Sequence, residues 1–140
     1  PHSDRYFRLM FENLRQHNMV ELVLAEYEGQ VIVANEIVWC GTTATYIHGG
    51  SSDDHKNVMA PYLVQWETLR RARERGMTDY DLRGIAPADQ PDHKLAGVTR
   101  FKLGFGGRTV VYPVAKNAVL QPGWYWTYRL AKRARGRSTD

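Results

Sequence analysis

The feature that most restricts the fold is the pair of runs Glu21–Tyr27 and Val31–Trp39, joined by Glu28-Gly29-Gln30. Both runs are rich in β-branched and apolar residues, and the three-residue joint contains glycine. That is the signature of a β-hairpin. A third strand is expected over Thr43–His48, after a turn at Cys40-Gly41 and before Gly49-Gly50-Ser51-Ser52. An antiparallel meander is therefore the nucleus around which the rest must fold.

Helices flank this meander. Tyr6, Phe7, Met10, Phe11 and Leu14 recur at helical spacing within Asp4–Gln16, with Ser3 or Asp4 placed to cap the start. A long helix is expected over Lys56–Arg75, with Met59, Leu63, Trp66 and Leu69 as its stripe and Gly76 as its stop. Thr78–Leu82 reads as a short strand, Arg83–Gln90 as a loop and His93–Phe101 as a short helix. Thr109–Val114 and Ala118–Leu120 read as strands, and Pro122 opens a final helix reaching about Arg135. Helix, three strands, helix, strand, helix is an α+β order. It resembles the GNAT acyltransferase fold, in which a mostly antiparallel central sheet is flanked by helices.

Composition bounds the setting. The 140 residues suffice for one domain with a real core. No apolar run reaches the roughly 18–20 residues of a membrane-spanning helix. The lone Cys40 rules out an internal disulfide and a cysteine-built zinc site, which fits a cytoplasmic location. No histidine has metal-like partner spacing, so no metal is expected. The net charge of +4 is concentrated in Arg70-Arg71-Ala72-Arg73-Glu74-Arg75 and in Arg129, Lys132, Arg133, Arg135 and Arg137. Such clusters attract phosphates of nucleic acids, nucleotides or lipid headgroups, although a charge run is more often simply a solvated helix face.

Two stretches carry chemistry. In Asp79-Tyr80-Asp81-Leu82, alternation sets Asp79 and Asp81 on one face and Tyr80 and Leu82 on the other. In Val98-Thr99-Arg100-Phe101-Lys102-Leu103-Gly104-Phe105-Gly106-Gly107, cations and phenylalanines alternate with glycines suited to sharp turns. A GNAT enzyme that uses acetyl-CoA holds the pyrophosphate on backbone N–H groups of a Gly-rich turn opening the central helix. Here that place is taken by Ser51-Ser52-Asp53-Asp54, where Asp53 and Asp54 suit the helix dipole as caps and repel a pyrophosphate.

Taken together, Tyr80, Asp81, Gly84, Ile85 and then Gly97, Phe101, Lys102, Phe105, Gly106 and Gly107 resemble the second GNAT-like domain of the FemABX family. Tyr46-Ile47-His48-Gly49-Gly50-Ser51 resembles the family segment that closes the third strand. Leu82 departs from the pattern, which has an aromatic residue there. The resemblance implies a tRNA-dependent aminoacyltransferase that extends the stem peptide of a peptidoglycan precursor, UDP-MurNAc-pentapeptide or lipid II. It implies aminoacyl-tRNA as donor substrate and no cofactor. Family members carry two such domains. The chain opens on Pro1, so it is expected to be the carboxyl-terminal one, incomplete without an amino-terminal GNAT-like domain or a second chain.

By the same resemblance, Lys102 stabilises the tetrahedral intermediate with Phe101 beside it, and Asp81 orients the amine or takes its proton. Tyr46, His48, Ser51, Tyr80, Arg83, Arg100 and Gly106 are the expected substrate-binding residues. Peripheral contact with the inner face of an anionic cell membrane is a further expectation. Read without the resemblance, Lys102 is an exposed lysine at a helix end. An acyl-CoA N-acyltransferase, a transferase acting on protein N-termini and a non-catalytic binding module stay open as alternatives.

Overall fold

The computed structural model describes residues 3–113 and 115–134. Its contacts divide the chain into two compact units, Pro1–Gly106 and Gly107–Asp140.

In the first unit, helix α1 (Asp4–Arg15) starts at Ser3, whose Oγ accepts the Tyr6 N–H at 3.4 Å. Strands β1 (Val20–Tyr27), β2 (Gln30–Cys40) and β3 (Thr43–Ser51) form the expected antiparallel meander. The hairpin turn places Glu28 and Gly29 at positive φ. Strand β3 runs three residues past His48, taking Gly49, Gly50 and Ser51 into the sheet. Helix α2 (Ala60–Glu74) crosses back over β1 and β2, and strand β4 (Asp79–Asp81) pairs parallel to β3. The sheet order is β1-β2-β3-β4, followed by helix α3 (Ala96–Leu103). This is the expected α+β layout with a mostly antiparallel sheet.

The core lies between the sheet and α2. It contains Val23, Val33, Ile37, Trp39 and Ala44 from the strands and Ala60, Val64 and Ala72 from α2. The stripe read from the sequence is overturned. Met59 precedes the helix, Leu63 and Trp66 are exposed, and the buried face is Ala60, Val64, Gln65, Thr68 and Ala72. Small residues let α2 approach the sheet closely, and each of its two buried polar side chains makes one hydrogen bond, with Gln65 Nε2 left without a partner. The Thr68 hydroxyl donates to the Val64 carbonyl at 2.7 Å, and Gln65 Oε1 accepts from the Tyr80 hydroxyl at 2.7 Å.

The long helix is also shorter than expected. Lys56–Val58 form a 3-10 turn, and Met59 at φ 57° breaks the chain before Ala60. Asp53 and Asp54 therefore do not cap α2. Asp53 pairs with Lys56 at 2.8 Å, while Asp54 and Ser52 hydrogen-bond each other.

The arginine cluster on α2 is largely committed within the chain. Arg70 and Arg71 both bond Glu67, Arg70 also reaches Glu74, and Arg71 and Arg75 hold Glu21 of β1. The two guanidinium donors hold the Glu67 carboxyl down at about 2. The Arg75 guanidinium also lies 4.3 Å from the centre of the Trp39 ring. Arg71 and Arg75 thus tie the helix to the sheet, while Arg70 bonds acids of its own helix, a partly exposed and internally paired face.

In the second unit, helix α4 (Pro122–Ala134) forms where expected. The strands expected at Thr109–Val114 and Ala118–Leu120 do not form among the described residues. Val111 and Tyr112 are exposed there. β-Branched composition specifies a strand only when a neighbouring strand accepts its ladder. Val114, Arg135 and Arg137 lie outside the described residues.

Candidate active site

The two motif stretches meet through one hydrogen bond. Beyond β4 the chain turns at Arg83, whose φ of 62° is left-handed and whose backbone N–H donates to Asp81 Oδ1 at 2.6 Å. This sets the Gly84 carbonyl in front of α3, and Lys102 Nζ donates to it at 2.7 Å. A second tether fixes the same loop: the Ala86 N–H donates to Thr99 Oγ1 at 2.8 Å, and that hydroxyl donates to the Leu95 carbonyl. Loop and helix are thus locked together around Lys102.

Lys102 is only 8% exposed, so it is not a solvated lysine at a helix end. Burial pulls its pKa below the ordinary lysine range, the Arg83 charge adds to that, and Asp81 opposes it. Its Nζ lies 6.0 Å from the centre of the Tyr46 ring. Beside it, burial raises the pKa of the Tyr46 and Tyr80 phenols. The result is a cationic side chain beside the Tyr46 ring, with the Asp81 carboxylate and the Arg83 guanidinium close enough to act on its charge. One of its three N–H donors is used by Gly84. A pre-positioned ammonium of this kind can stabilise an oxygen that gains negative charge.

The structure brings Lys102, Tyr46, Tyr80, Asp81 and Arg83 into one neighbourhood. It separates three of the other expected residues from them. Phe101 packs edge-on to Tyr62 at 4.8 Å and to Phe105 at 5.3 Å. There it lines a small cavity of about 120 Å3 with Ser51 and Met59. Phe101 thus anchors α3 to the start of α2.

His48 is separated by the sheet itself. The β2–β3 register shifts between Glu36 and Ile37, so Ile37 faces Tyr46 while Glu36 faces His48. The extra residue, Ile47, makes a bulge. Adjacent residues of β2 point to opposite faces. Tyr46 therefore packs on the α2 side of the sheet, and His48 packs edge-on to Phe7 of α1, 4.9 Å away, on the other. The expectation that Tyr46 and His48 line one channel is corrected accordingly.

Arg100 is exposed on α3, and Gly106 at φ 77° makes the left-handed turn that ends the segment. Gly49 is required by Tyr46. A β-carbon on Gly49 would fall 1.8 Å from the Tyr46 hydroxyl oxygen. Gln65, Thr68 and Glu36 were not singled out from sequence. The signal for Glu36 was present: a charge inside the apolar run Val31–Trp39.

The start of α2 does not suit a pyrophosphate cradle, although the reason differs from the one expected. Pro61 in the first turn has no N–H, and the Tyr62 N–H is taken by the Met59 carbonyl at 3.0 Å. Two of the backbone donors such a site needs are thus missing.

Among solved structures, an aminoglycoside 6′-N-acetyltransferase from Acinetobacter haemolyticus superposes with a TM-score of 0.57 at 15% identity, covering 84% of each chain. A ribosomal-protein-alanine N-acetyltransferase from Brucella melitensis gives 0.54 at 14% identity, covering 79% of this chain and 77% of that one. These likenesses establish the GNAT fold. In sequence, the lipid II:glycine glycyltransferase of Staphylococcus epidermidis is 29% identical over 94 residues, 67% of this chain and 23% of that protein. The aminoacyltransferase FemA of the same species is 30% identical over 88 residues, 63% of this chain and 21% of that protein. The chain thus spans less than a quarter of the length of these relatives. The FemAB family pattern matches residues 5–133, nearly all of the chain and both motif stretches, and with that match the chain belongs to the FemAB family.

Proposed function

We propose that this chain is the acyl-transfer domain of a tRNA-dependent aminoacyltransferase acting on a peptidoglycan precursor. The observation that carries the reading is Lys102, a buried ammonium hydrogen-bonded to Gly84 at the junction of the two stretches. The names of the relatives, a glycyltransferase of lipid II and an aminoacyltransferase, supply the reaction class.

In this reading the neutral acceptor amine attacks the ester carbonyl of aminoacyl-tRNA. The C–N bond forms and the carbonyl oxygen becomes an oxyanion, which Lys102 meets with the N–H donors that Gly84 leaves over. Collapse expels the ribose oxygen, which takes a proton as the amine nitrogen gives one up. No nucleotide is consumed, because the ester is already activated. Asp81 and Arg83 shape the rim, and Tyr46 and Tyr80 form the neutral wall behind the ammonium. A pre-positioned donor of this type is worth roughly 100- to 1,000-fold in rate. Phe101 supports the site by anchoring α3, and Arg100 and Gly106 are assigned to substrate binding in this reading.

The acceptor is UDP-MurNAc-pentapeptide or lipid II, and a further GNAT-like domain or a second chain completes the substrate channel. The second unit supports a role at an anionic membrane surface. Residues 108–134 contain no acid, and α4 carries Arg129, Lys132 and Arg133 beside exposed Trp124, Trp126 and Tyr128.

The test is a transfer assay on the protein that carries this chain. Glycyl-, alanyl- and seryl-tRNA are offered with each precursor, and acetyl-CoA is offered in parallel. Mass gain of one aminoacyl group on the stem peptide is expected. Transfer from acetyl-CoA alone would overturn the reading in favour of an ordinary GNAT acetyltransferase.

A further inference from the structure

Across the sheet from Lys102 lies a cavity of about 550 Å3 between α1 and the strands. That size is typical of small-molecule sites, about 300–1,000 Å3. Its walls are Phe7 and Phe11 of α1, Leu22 of β1 and Ala34 of β2, with Gly49 and Gly50 leaving room along β3. One carboxylate stands in this apolar wall. Glu36 is only 7% exposed, and among the described residues its carboxylate has no hydrogen-bond or ion-pair partner. A carboxylate set in an apolar wall is ordinarily paired, and this one opens onto the cavity, so whatever occupies the cavity must solvate it.

We propose that this cavity binds a primary ammonium carried on an apolar stem, with Glu36 as its counter-ion. The walls take the stem and the carboxylate takes the cationic head. An anionic ligand would meet Glu36 with the same sign, and a neutral one would leave it unpaired. Burial, with no offsetting charge, raises the Glu36 pKa above the usual carboxylate range. Arg8 of α1 and His48 of β3 are the other charged or titratable groups lining the cavity among the described residues. A cation bound at Glu36 favours its ionised form, so ammonium affinity rises as pH climbs through the raised Glu36 pKa.

The probe is n-hexylammonium, with hexan-1-ol and hexanoate as controls, followed by 1H–15N NMR titration of the whole chain. Hexylammonium is expected to give saturable shifts at Phe7, Phe11, Leu22 and His48. Glu36→Gln should weaken it tenfold or more, down to the affinity of hexanol, while hexanoate binds worst. Gly50→Leu, which leaves Glu36 in place and grows a side chain where a β-carbon meets nothing within 4 Å, should block all three probes. Hexanol binding as tightly as hexylammonium would overturn the proposal. So would full-strength hexylammonium binding by either variant, or shifts that never saturate. If Glu36→Gln does not fold, Gly50→Leu alone decides: retained hexylammonium binding contradicts the site.

Discussion

Gly49→Ala tests the packing that holds Tyr46 beside Lys102. The new β-carbon would lie 1.8 Å from the Tyr46 hydroxyl oxygen, 2.5 Å from Cζ and 2.6 Å from Cε2. Contacting heavy atoms prefer about 3.5–4.0 Å, so the ring must retreat by an ångström or more. Tyr46 packs against the core, which makes that retreat an overpacking cost of about 1–3 kcal/mol. The Gly49 backbone is not in the left-handed region, so alanine itself is tolerated there. Urea unfolding should show a lower midpoint with an unchanged slope. In a Tyr46→Phe background the ring carbons still obstruct, and the cost should persist. In a Tyr46→Leu background it should vanish or reverse by about 0.5–1 kcal/mol, since alanine is the better strand residue. An equal cost in all three backgrounds would refute the reasoning, because the strain would then lie in the backbone.

Three further outcomes follow from the charges and hydrogen bonds. Tyr80→Phe removes the donor to Gln65 Oε1 inside the core, and Gln65 Nε2 already lacks a partner; thermal unfolding should show a loss of about 1–3 kcal/mol. Glu36→Gln should stabilise the chain at neutral pH. The folded state holds the Glu36 proton more tightly than the unfolded one, so wild-type stability falls as pH rises through the raised pKa, and the advantage of Gln should disappear below the ordinary carboxylate value near 4.5. Lys102 has the opposite sign. Its pKa is lowered on folding, so wild-type stability should rise with pH between that lowered value and about 10.5, and Lys102→Met should flatten this rise.

Much of this fold was legible because the meander is written in strong local terms: β-branched runs and a glycine turn that agree with the sheet that forms. The inner face of α2 was not, because periodicity weights large apolar residues. The helix instead turns Ala60, Ala72, Thr68 and Gln65 inward and leaves Leu63 and Trp66 outside. Close approach and a Tyr80–Gln65 bond decided that face, and neither leaves an amphipathic trace in the sequence. The Ile47 bulge was equally silent. One extra residue moved His48 to the opposite face from Tyr46 and split an expected site in two. The motif pair around Lys102 could be read as a unit, but the Gly84 contact that joins its halves requires a left-handed Arg83, a conformation that composition does not announce.

The central claim is that the Lys102 ammonium acts on the transferring carbonyl. The most direct measurement is single-turnover aminoacyl transfer from charged tRNA by the protein carrying Lys102→Met, with thermal unfolding checked alongside. Lys102→Met is predicted to slow the chemical step about 100-fold or more while the chain stays folded. Transfer at the wild-type rate by a folded Lys102→Met protein would contradict the account.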